Sequence, residues 1–222
     1  MQFILNIDTA VLGASVCLSQ NGKPMLLKKN PEPVESAAWV HTAIQQLLQE
    51  QGIAMTQLAA VAVSAGPGSY TGLRVGMAAA KGLCYALQRP LLAVNTLEMM
   101  AMAALTEPSQ LLCPMIDARR MEVFTALYTK DLEALIPPQA LILQPDSFID
   151  MLERQPITFF GNGSPKFQTL LQHPNAIFKA IQADAAHLSV RAWQLFGQQR
   201  FTDLAYSEPF YGKEFFSPPP KH

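Results

Sequence analysis

The stretch of this chain best suited to chemistry is the glycine-rich run at residues 64–76, SAGPGSYTGLRVG. It follows an apolar segment at 58–63 that predicts a strand and precedes an alanine-rich segment at 77–87 that predicts a helix. A strand, a glycine turn and a helix start often hold an anion, because free backbone N–H groups and the helix dipole point at the turn. Gly66, Gly68 and Ser69 are therefore candidates for contact with a phosphate.

Other residues could complete such a site. Asp8 and Thr9 follow the first predicted strand, Asp117 follows a later strand, and Gly161 and Gly163 belong to a second Gly-x-Gly-Ser turn. The glycine run does not contain the Gly-x4-Gly-Lys-Ser/Thr of a P-loop, and its spacing is one residue out of step with the dinucleotide fingerprint. The first corner also carries no Lys or Arg. Two interpretations stay open: a vestigial nucleotide or phosphate site, and tight turns that the fold itself requires.

Metal-dependent and covalent catalysis are not indicated by the sequence. No two histidines (positions 41, 173, 187 and 222) lie four residues apart, so no helical pair of metal ligands is expected. Cys17, Cys84 and Cys113 lie in apolar segments without the close spacing of a zinc site, and we expect buried free thiols. Ser69 does not stand in the Gly-x-Ser-x-Gly of a nucleophile elbow, and its oxygen is predicted to cap a helix instead. We therefore expect no catalytic residue and no metal site.

Composition narrows the class of protein further. The net charge is −1, and the sequence has no long run of Lys or Arg, so tight binding of nucleic acid by the chain alone is not expected. Only 15% of the residues are charged, which fits either an efficient core or an apolar surface that a partner covers. The chain lacks a signal-peptide pattern and an apolar stretch of membrane-spanning length, so we expect a cytoplasmic protein.

The elements that would position these residues occur in an order that repeats. Three strands, a helix, a strand, a helix, a strand and a helix are expected in residues 1–105, and a similar order restarts in residues 106–216. The second half includes a strand at 140–143, helices at 146–154 and 184–199, and no assigned element at 165–183. Thr96 is expected to cap a helix, and a proline-rich tail at 217–222 is expected to be disordered. This order predicts an α/β fold of two similar halves, each with a mixed sheet.

The helix behind the glycine run is unusually thin and is apolar on two sides. Two interior glycines, Gly72 and Gly76, are unfavourable in a helix unless a neighbour uses the space that they leave. Such a helix is either enclosed in the core or half in an interface. The interface interpretation takes in this helix and the helix before it. Its residues are Trp39, Val40, Ile44, Gly72, Leu73, Gly76, Met77, Ala80, Leu83 and Cys84.

The glycine run also resembles the signature of a known family. The segment GPGSYTGLRVG at 66–76 is similar to the GPGS[FY]TG[LIV]R[IV]G signature of the TsaB (YeaZ) family, and ILNIDTA at 4–10 is similar to that family's first strand. Further agreement lies in IDARRMEVF at 116–124. This family lies within the actin, hexokinase and sugar-kinase superfamily. The resemblance implies two actin-like (ribonuclease-H-like) halves, each with a mixed five-stranded sheet.

The resemblance also implies a function. The chain would be a non-catalytic subunit that binds and activates TsaD, the enzyme that transfers a threonylcarbamoyl group to N6 of adenosine 37 of tRNA. It implies TsaE as a further partner, a homodimer when the chain is alone, contact with tRNA only through the complex, and no cofactor beyond ATP or ADP at the complex boundary. It also favours the partner interface for the thin helix. Two alternatives are a small-molecule kinase or ATPase of the same fold and, disfavoured by the histidine spacing, a glycoprotease-like peptidase.

Overall fold

A computed structural model of the chain describes residues 1–11, 13–30 and 36–212. The first half is built on a five-stranded sheet of order β3-β2-β1-β4-β5. Its strands are β1 (Phe3–Asp8), β2 (Ala14–Gln20), β3 (Lys23–Asn30), β4 (Leu58–Ser64) and β5 (Leu91–Val94). β1 pairs antiparallel with β2 and parallel with β4. The sheet is mixed because hairpins join the first three strands and helices join the rest.

The second half repeats this arrangement with a sheet of order β10-β9-β6-β7-β8. Its strands are β6 (Leu111–Asp117), β7 (Glu122–Thr129), β8 (Ala134–Ile142), β9 (Ile157–Phe160) and β10 (Ala176–Lys179). β6 occupies the position of β1, antiparallel to β7 and parallel to β9. The prediction of two α/β halves with mixed five-stranded sheets is therefore confirmed.

Helices cover the sheets and connect the parallel strands. The α-helices of the described residues are α1 (Ser36–Glu50), α2 (Tyr70–Leu87), α3 (Thr96–Ala103), α4 (Ile149–Leu152), α5 (Ser164–Leu170) and α6 (Leu188–Gly197). α1 and α2 pack together against one face of the first sheet. α6 follows the second sheet in the chain but packs on the opposite face of the first one. None of these helices is long and apolar enough to cross a bilayer.

Several boundaries in the second half differ from those expected. The strand expected at 140–143 is the longer β8, which tolerates Pro137 and Pro138 because it lies at the edge of its sheet. The helix expected at 146–154 shortens to α4, because Phe148 has a left-handed backbone with φ of 65°. α5 and β10 occupy the unassigned stretch. The tail at 217–222 lies outside the described residues.

Two helix ends also need correction. Asn95, not Thr96, caps α3, and its side chain accepts a hydrogen bond from the N–H of Leu97. The helix expected at 184–199 begins at Leu188, after a 3-10 turn at Ala185–His187, and ends at Gly197. The turn comes first because the Asp184 side chain accepts from the N–H of Ala186 and starts a tighter helical turn.

Candidate functional site

The glycine turn joins β4 to α2 and directs its own hydrogen-bonding groups inward. The N–H of Gly66 donates to Thr96 Oγ1 at 3.0 Å, and the N–H of Ser69 donates to the carbonyl of Ala10 at 2.8 Å. Ser69 Oγ accepts from the N–H of Gly72 at 3.2 Å, which confirms the predicted helix cap. Three of the N–H groups that a phosphate could have used are thus bonded within the chain.

The glycines of the turn allow two backbones to lie in direct contact. A Cβ atom on Gly68 would overlap the carbonyl of Ala10, and one on Gly72 would overlap the carbonyl of Thr9. Gly76 leaves room for the Thr9 hydroxyl, which donates to the carbonyl of Gly72 at 2.6 Å. The glycine spacing therefore matches the packing of the corner after β1 against the first turns of α2.

Asp8 lies at the end of β1 and is turned into the protein. Its residue is only 2% exposed, and its Oδ1 accepts from Ser64 Oγ at 2.5 Å and from the N–H of Ala10 at 3.0 Å. Burial raises the pKa of this carboxyl group to about 6, and the hydrogen bonds from Ser64 and Ala10 oppose that rise. In this conformation the carboxylate holds the corner together and is not presented to a ligand.

The corner after β6 is the exposed counterpart. Asp117 Oδ1 accepts from the N–H of Arg119 at 2.6 Å and from Lys166 Nζ at 2.9 Å. The hydrogen bond from Lys166 is the main reason that the pKa of Asp117 lies below its usual value. The N–H of Asp117 donates to Asn162 Oδ1 at 2.9 Å. Sequence reasoning missed Lys166 and Asn162, because a partner so far along the chain leaves no local pattern.

The second glycine turn packs as the first one does. A Cβ on Gly161, where φ is 92°, would overlap the carbonyl of Met115, and one on Gly163 would lie within 3.1 Å of the backbone at Ile116 and Asp117. Each half thus places a glycine turn against the end of its central strand. This repeated contact supports the interpretation of these corners as tight turns required by the fold.

A cavity of about 470 Å³ lies between the two halves. Its lining includes the loop after β1, Lys29, Asn30, Gly161, Asn162 and the segment at 180–184. Lys29 Nζ and Asp184 Oδ2 form an ion pair at 2.6 Å at its wall. Of the predicted phosphate residues, only Gly161 lines this cavity. The other predicted phosphate residues lie outside the lining of this cavity.

Most of the residues predicted for a partner interface belong to the chain's own core. Val40, Ile44, Leu73, Met77, Ala80 and Cys84 are each at most 4% exposed. All but Leu73 belong to the cluster that α1 and α2 form with the first sheet, which covers them. Gly76 is also buried, against Thr9. These seven residues are therefore enclosed within the chain itself, whereas Trp39, Gly72 and Leu83 remain partly exposed.

The outward surface of the same helices forms an apolar groove. The α1–α2 groove is lined by Ala37, His41, Val75, Ala78, Ala79, Gly82 and Leu83. A Cβ on Gly82 would meet no atom within 4 Å, so this glycine opens toward the outside. The exposed ring of Tyr85 lies on the same helix, and at its other end the Arg74 guanidinium stands 4.1 Å over the ring of Tyr70. Small residues and Tyr85 thus share the exposed face of α2, while Tyr70 and Arg74 at its other end both contact Tyr211.

Metal ligands do not cluster in the part of the chain that the structure describes. Residues 1–11, 13–30 and 36–212 contain no group of three or more His, Cys, Asp or Glu side chains placed to hold an ion. All three cysteines are buried as free thiols, as expected.

Comparison with known proteins gives consistent results. A model of the family described as "TsaD: tRNA N6-adenosine threonylcarbamoyltransferase" matches residues 34–207. The "tRNA threonylcarbamoyladenosine biosynthesis protein TsaB" of Bacillus subtilis is 34% identical over 179 residues, which cover 76% of this chain and 75% of that protein.

Solved structures agree with the sequence matches. A Pseudomonas aeruginosa protein, described as similar to peptidase YeaZ, superimposes with a TM-score of 0.84 at 26% identity, covering 96% of this chain and 100% of that one. A hexokinase of the ROK type from Thermus thermophilus shares the fold alone, with a TM-score of 0.51 at 9% identity, covering 89% of this chain and 100% of that one. The resemblance drawn from the sequence is confirmed: the chain belongs to the TsaB (YeaZ) family.

Proposed function

We propose that this chain acts in the biosynthesis of tRNA threonylcarbamoyladenosine, as a non-catalytic subunit that binds and activates TsaD. Its relative in Bacillus subtilis is named for this biosynthesis, and its sequence matches the family model of the transferase itself. Two proteins that share a fold can pair through equivalent helices about an approximate two-fold axis. The family match therefore supports pairing of this chain with TsaD through helices at equivalent positions.

The observation that carries the proposal is the α1–α2 groove. It is apolar, and Ala78 and Gly82 keep its floor low enough for another helix to approach closely. A glycine inside a helix makes the helix less stable than an alanine would, by about 1 kcal/mol. At Gly82 an alanine would fit, because a Cβ would meet open space, so glycine is unfavourable there for the chain alone. Tyr70, Arg74 and Tyr85 are of the residue types that dominate binding energy at interfaces.

The accessory role is supported by the state of the two corners. In a catalytic site the carboxylate of Asp8 would have to reach a ligand, but it is buried and bonded to Ser64 and Ala10. Asp117 is exposed, yet its carboxylate is engaged by Lys166. Both carboxylates that could have served catalysis thus hold their own turns.

The test is an arginine introduced into the groove. Gly82→Arg should leave the chain folded, because its Cβ enters open space, and should abolish co-purification with TsaD. The matched control is Gly197→Arg, at an exposed glycine at the end of α6 that also has open space around it. Gly76→Arg is unsuitable, because that position packs against Thr9 within the chain.

Reconstituted tRNA modification supplies the second readout. We expect threonylcarbamoylation by TsaD to require this chain, to fail with Gly82→Arg and to proceed with Gly197→Arg. An unchanged affinity of the folded Gly82→Arg variant for TsaD would refute the α1–α2 groove as the interface.

The remaining partners follow from the same proposal. When the chain is alone, a second copy would occupy the α1–α2 groove and give a homodimer. TsaE would join the complex with TsaD, ATP or ADP would bind only at the boundary between subunits, and tRNA would be bound through the complex in the cytoplasm. The net charge of −1 supports binding of tRNA through the complex and not by this chain alone, since a chain of this charge provides no broad basic surface.

A small-molecule kinase or ATPase is a second candidate, favoured by the cavity between the halves. This space is of the size of ordinary ligand sites, and Lys29 and Asn30 contribute polar groups to its wall. Calorimetry of the isolated protein with ATP separates the two candidates. Micromolar affinity together with turnover would favour the enzyme, and absence of binding would favour the accessory subunit.

A further inference from the structure

The hairpin between β6 and β7 carries two arginines in an uncommon backbone conformation. Arg119 and Arg120 have φ angles of 72° and 48°, in the left-handed region that residues with side chains seldom adopt. The hairpin between β2 and β3 meets the same conformational demand with the usual residues, Asn21 and Gly22, whose φ angles are 49° and 81°. The turn geometry alone therefore does not explain two arginines.

The backbone beneath these arginines is held firmly. The N–H of Arg119 donates to the Asp117 carboxylate, and the carbonyl of Arg119 accepts from the N–H of Glu122 at 3.1 Å. The Asp117 N–H is bonded to Asn162. Lys166 pairs with the carboxylate of Asp117, two residues before Arg119, at 2.9 Å, so that carboxylate already has a cation beside it.

Within the part of the chain that the structure describes, both guanidinium groups are available to a ligand. Arg119 and Arg120 are exposed, and across residues 1–11, 13–30 and 36–212 neither side chain forms a hydrogen bond or an ion pair. Two adjacent guanidiniums on a fixed turn carry the paired N–H donors with which arginine binds phosphodiester oxygens. Contacts of this kind fix the position of a nucleic acid on a protein.

We propose that Arg119 and Arg120 bind the phosphate backbone of the tRNA when this chain is part of its complex with TsaD. The inference rests on the proposed function. With a net charge of −1, the chain supplies two local contacts and not a complete basic surface, so they act in addition to those of the partner. The substrate class recognised at this turn is an RNA phosphodiester.

The experiment uses the double variant Arg119→Gly, Arg120→Gly in the complex with TsaD. Glycine accepts the left-handed backbone, so the fold and association with TsaD should be unchanged. Loss of two phosphate contacts should weaken tRNA binding roughly five- to tenfold for each arginine at about 0.1 M salt. The slope of log affinity against log salt should fall by about 0.7 to 0.9 for each arginine.

Two further variants make the result specific. Arg119→Lys with Arg120→Lys keeps both charges and should keep most of the salt slope, whereas loss of the slope in this variant would overturn a charge-based contact. Arg154→Gln removes an exposed arginine just beyond α4 and should leave tRNA affinity unchanged; an equal loss there would overturn the assignment to this turn.

The failures of the two proposals are distinguishable. Unchanged tRNA affinity and salt slope for the glycine variant within an intact complex would overturn the contact at Arg119 and Arg120 alone. Failure of the unaltered chain to associate with TsaD would refute the proposed function, and this inference with it.

Discussion

Replacement of Asp8 by asparagine should stabilise the protein at neutral and alkaline pH. The Asp8 carboxylate is almost fully buried, and no cation forms an ion pair with it in the part of the chain that the structure describes. Its pKa rises from 3.8 to about 6, chiefly because burial disfavours the charged form. Asparagine has nearly the same shape and retains an oxygen that can accept from Ser64 and Ala10.

The magnitude follows from the difference in pKa between the folded and unfolded states. Because the pKa is higher in the folded state, Asp8 favours folding most below about pH 3.8, and this contribution is lost as the pH rises through about 6. A difference of about 2 pKa units at 1.36 kcal/mol each gives about 3 kcal/mol above pH 6. The gain from Asp8→Asn should therefore approach about 3 kcal/mol at about pH 8 and fall to roughly half of that near pH 5.

Urea unfolding of both proteins between about pH 5 and pH 8 measures this difference directly. Asp131→Asn, at an exposed turn, is the control for removal of a carboxylate as such. If Asp8→Asn is less stable than the unaltered chain at about pH 8, the hydrogen bonds to the charged carboxylate outweigh its burial and the reasoning is wrong. A stability difference that does not change with pH would refute the assigned pKa.

The other predictions concern packing and thiol chemistry. Gly82→Ala should raise the free energy of unfolding by up to about 1 kcal/mol, because the new methyl group enters open space. Gly76→Ala should lower it, because its methyl group would overlap the Thr9 hydroxyl; stabilisation by both changes in urea titrations would contradict the contact between the corner and α2. Ser64→Ala removes a hydrogen bond that lowers the pKa of Asp8, so the pH at which stability falls should move upward in the same titrations, and an unmoved transition would argue against that bond. Burial raises the pKa of Cys17 and Cys84 to about 11 and of Cys113 to about 12, so a thiol reagent should label them only after denaturant is added, and fast labelling of the native protein would contradict their burial.

Local patterns were enough to predict the central strands. Ile157–Phe160 is short and apolar and is bounded by turn residues, so its limits could be predicted. α5 and β10 could not be assigned, because they are short and β10 is only half buried. Their existence depends on β9 and the rest of the second sheet. The start of α4 could not be predicted either. It depends on the left-handed backbone of Phe148, which is set by tertiary packing and follows from no sequence rule.

Some features of the candidate site were likewise predictable from the sequence, and others were not. The cap at Ser69 follows from the chemistry of neighbouring residues, and it was predictable. The face of α2 that meets the first sheet was not, because Leu73 and Val75 lie on opposite sides that are both apolar. Only the position of the sheet decides that Leu73 is enclosed and that Val75 lines the α1–α2 groove. The pairing of Asp117 with Lys166 likewise depends on the fold of the whole second half.

The return of α6 to the first sheet sets the order in which the protein can be completed during synthesis. Ser189 on α6 lies 3.4 Å from the amide of Asn6, across 183 positions of sequence. Until Leu188, Ala192 and Leu195 have left the ribosome, one apolar face of the first sheet stays uncovered. We therefore expect the N-terminal half to remain incomplete and dependent on chaperones until translation is nearly finished, and a chain truncated before α6 to aggregate.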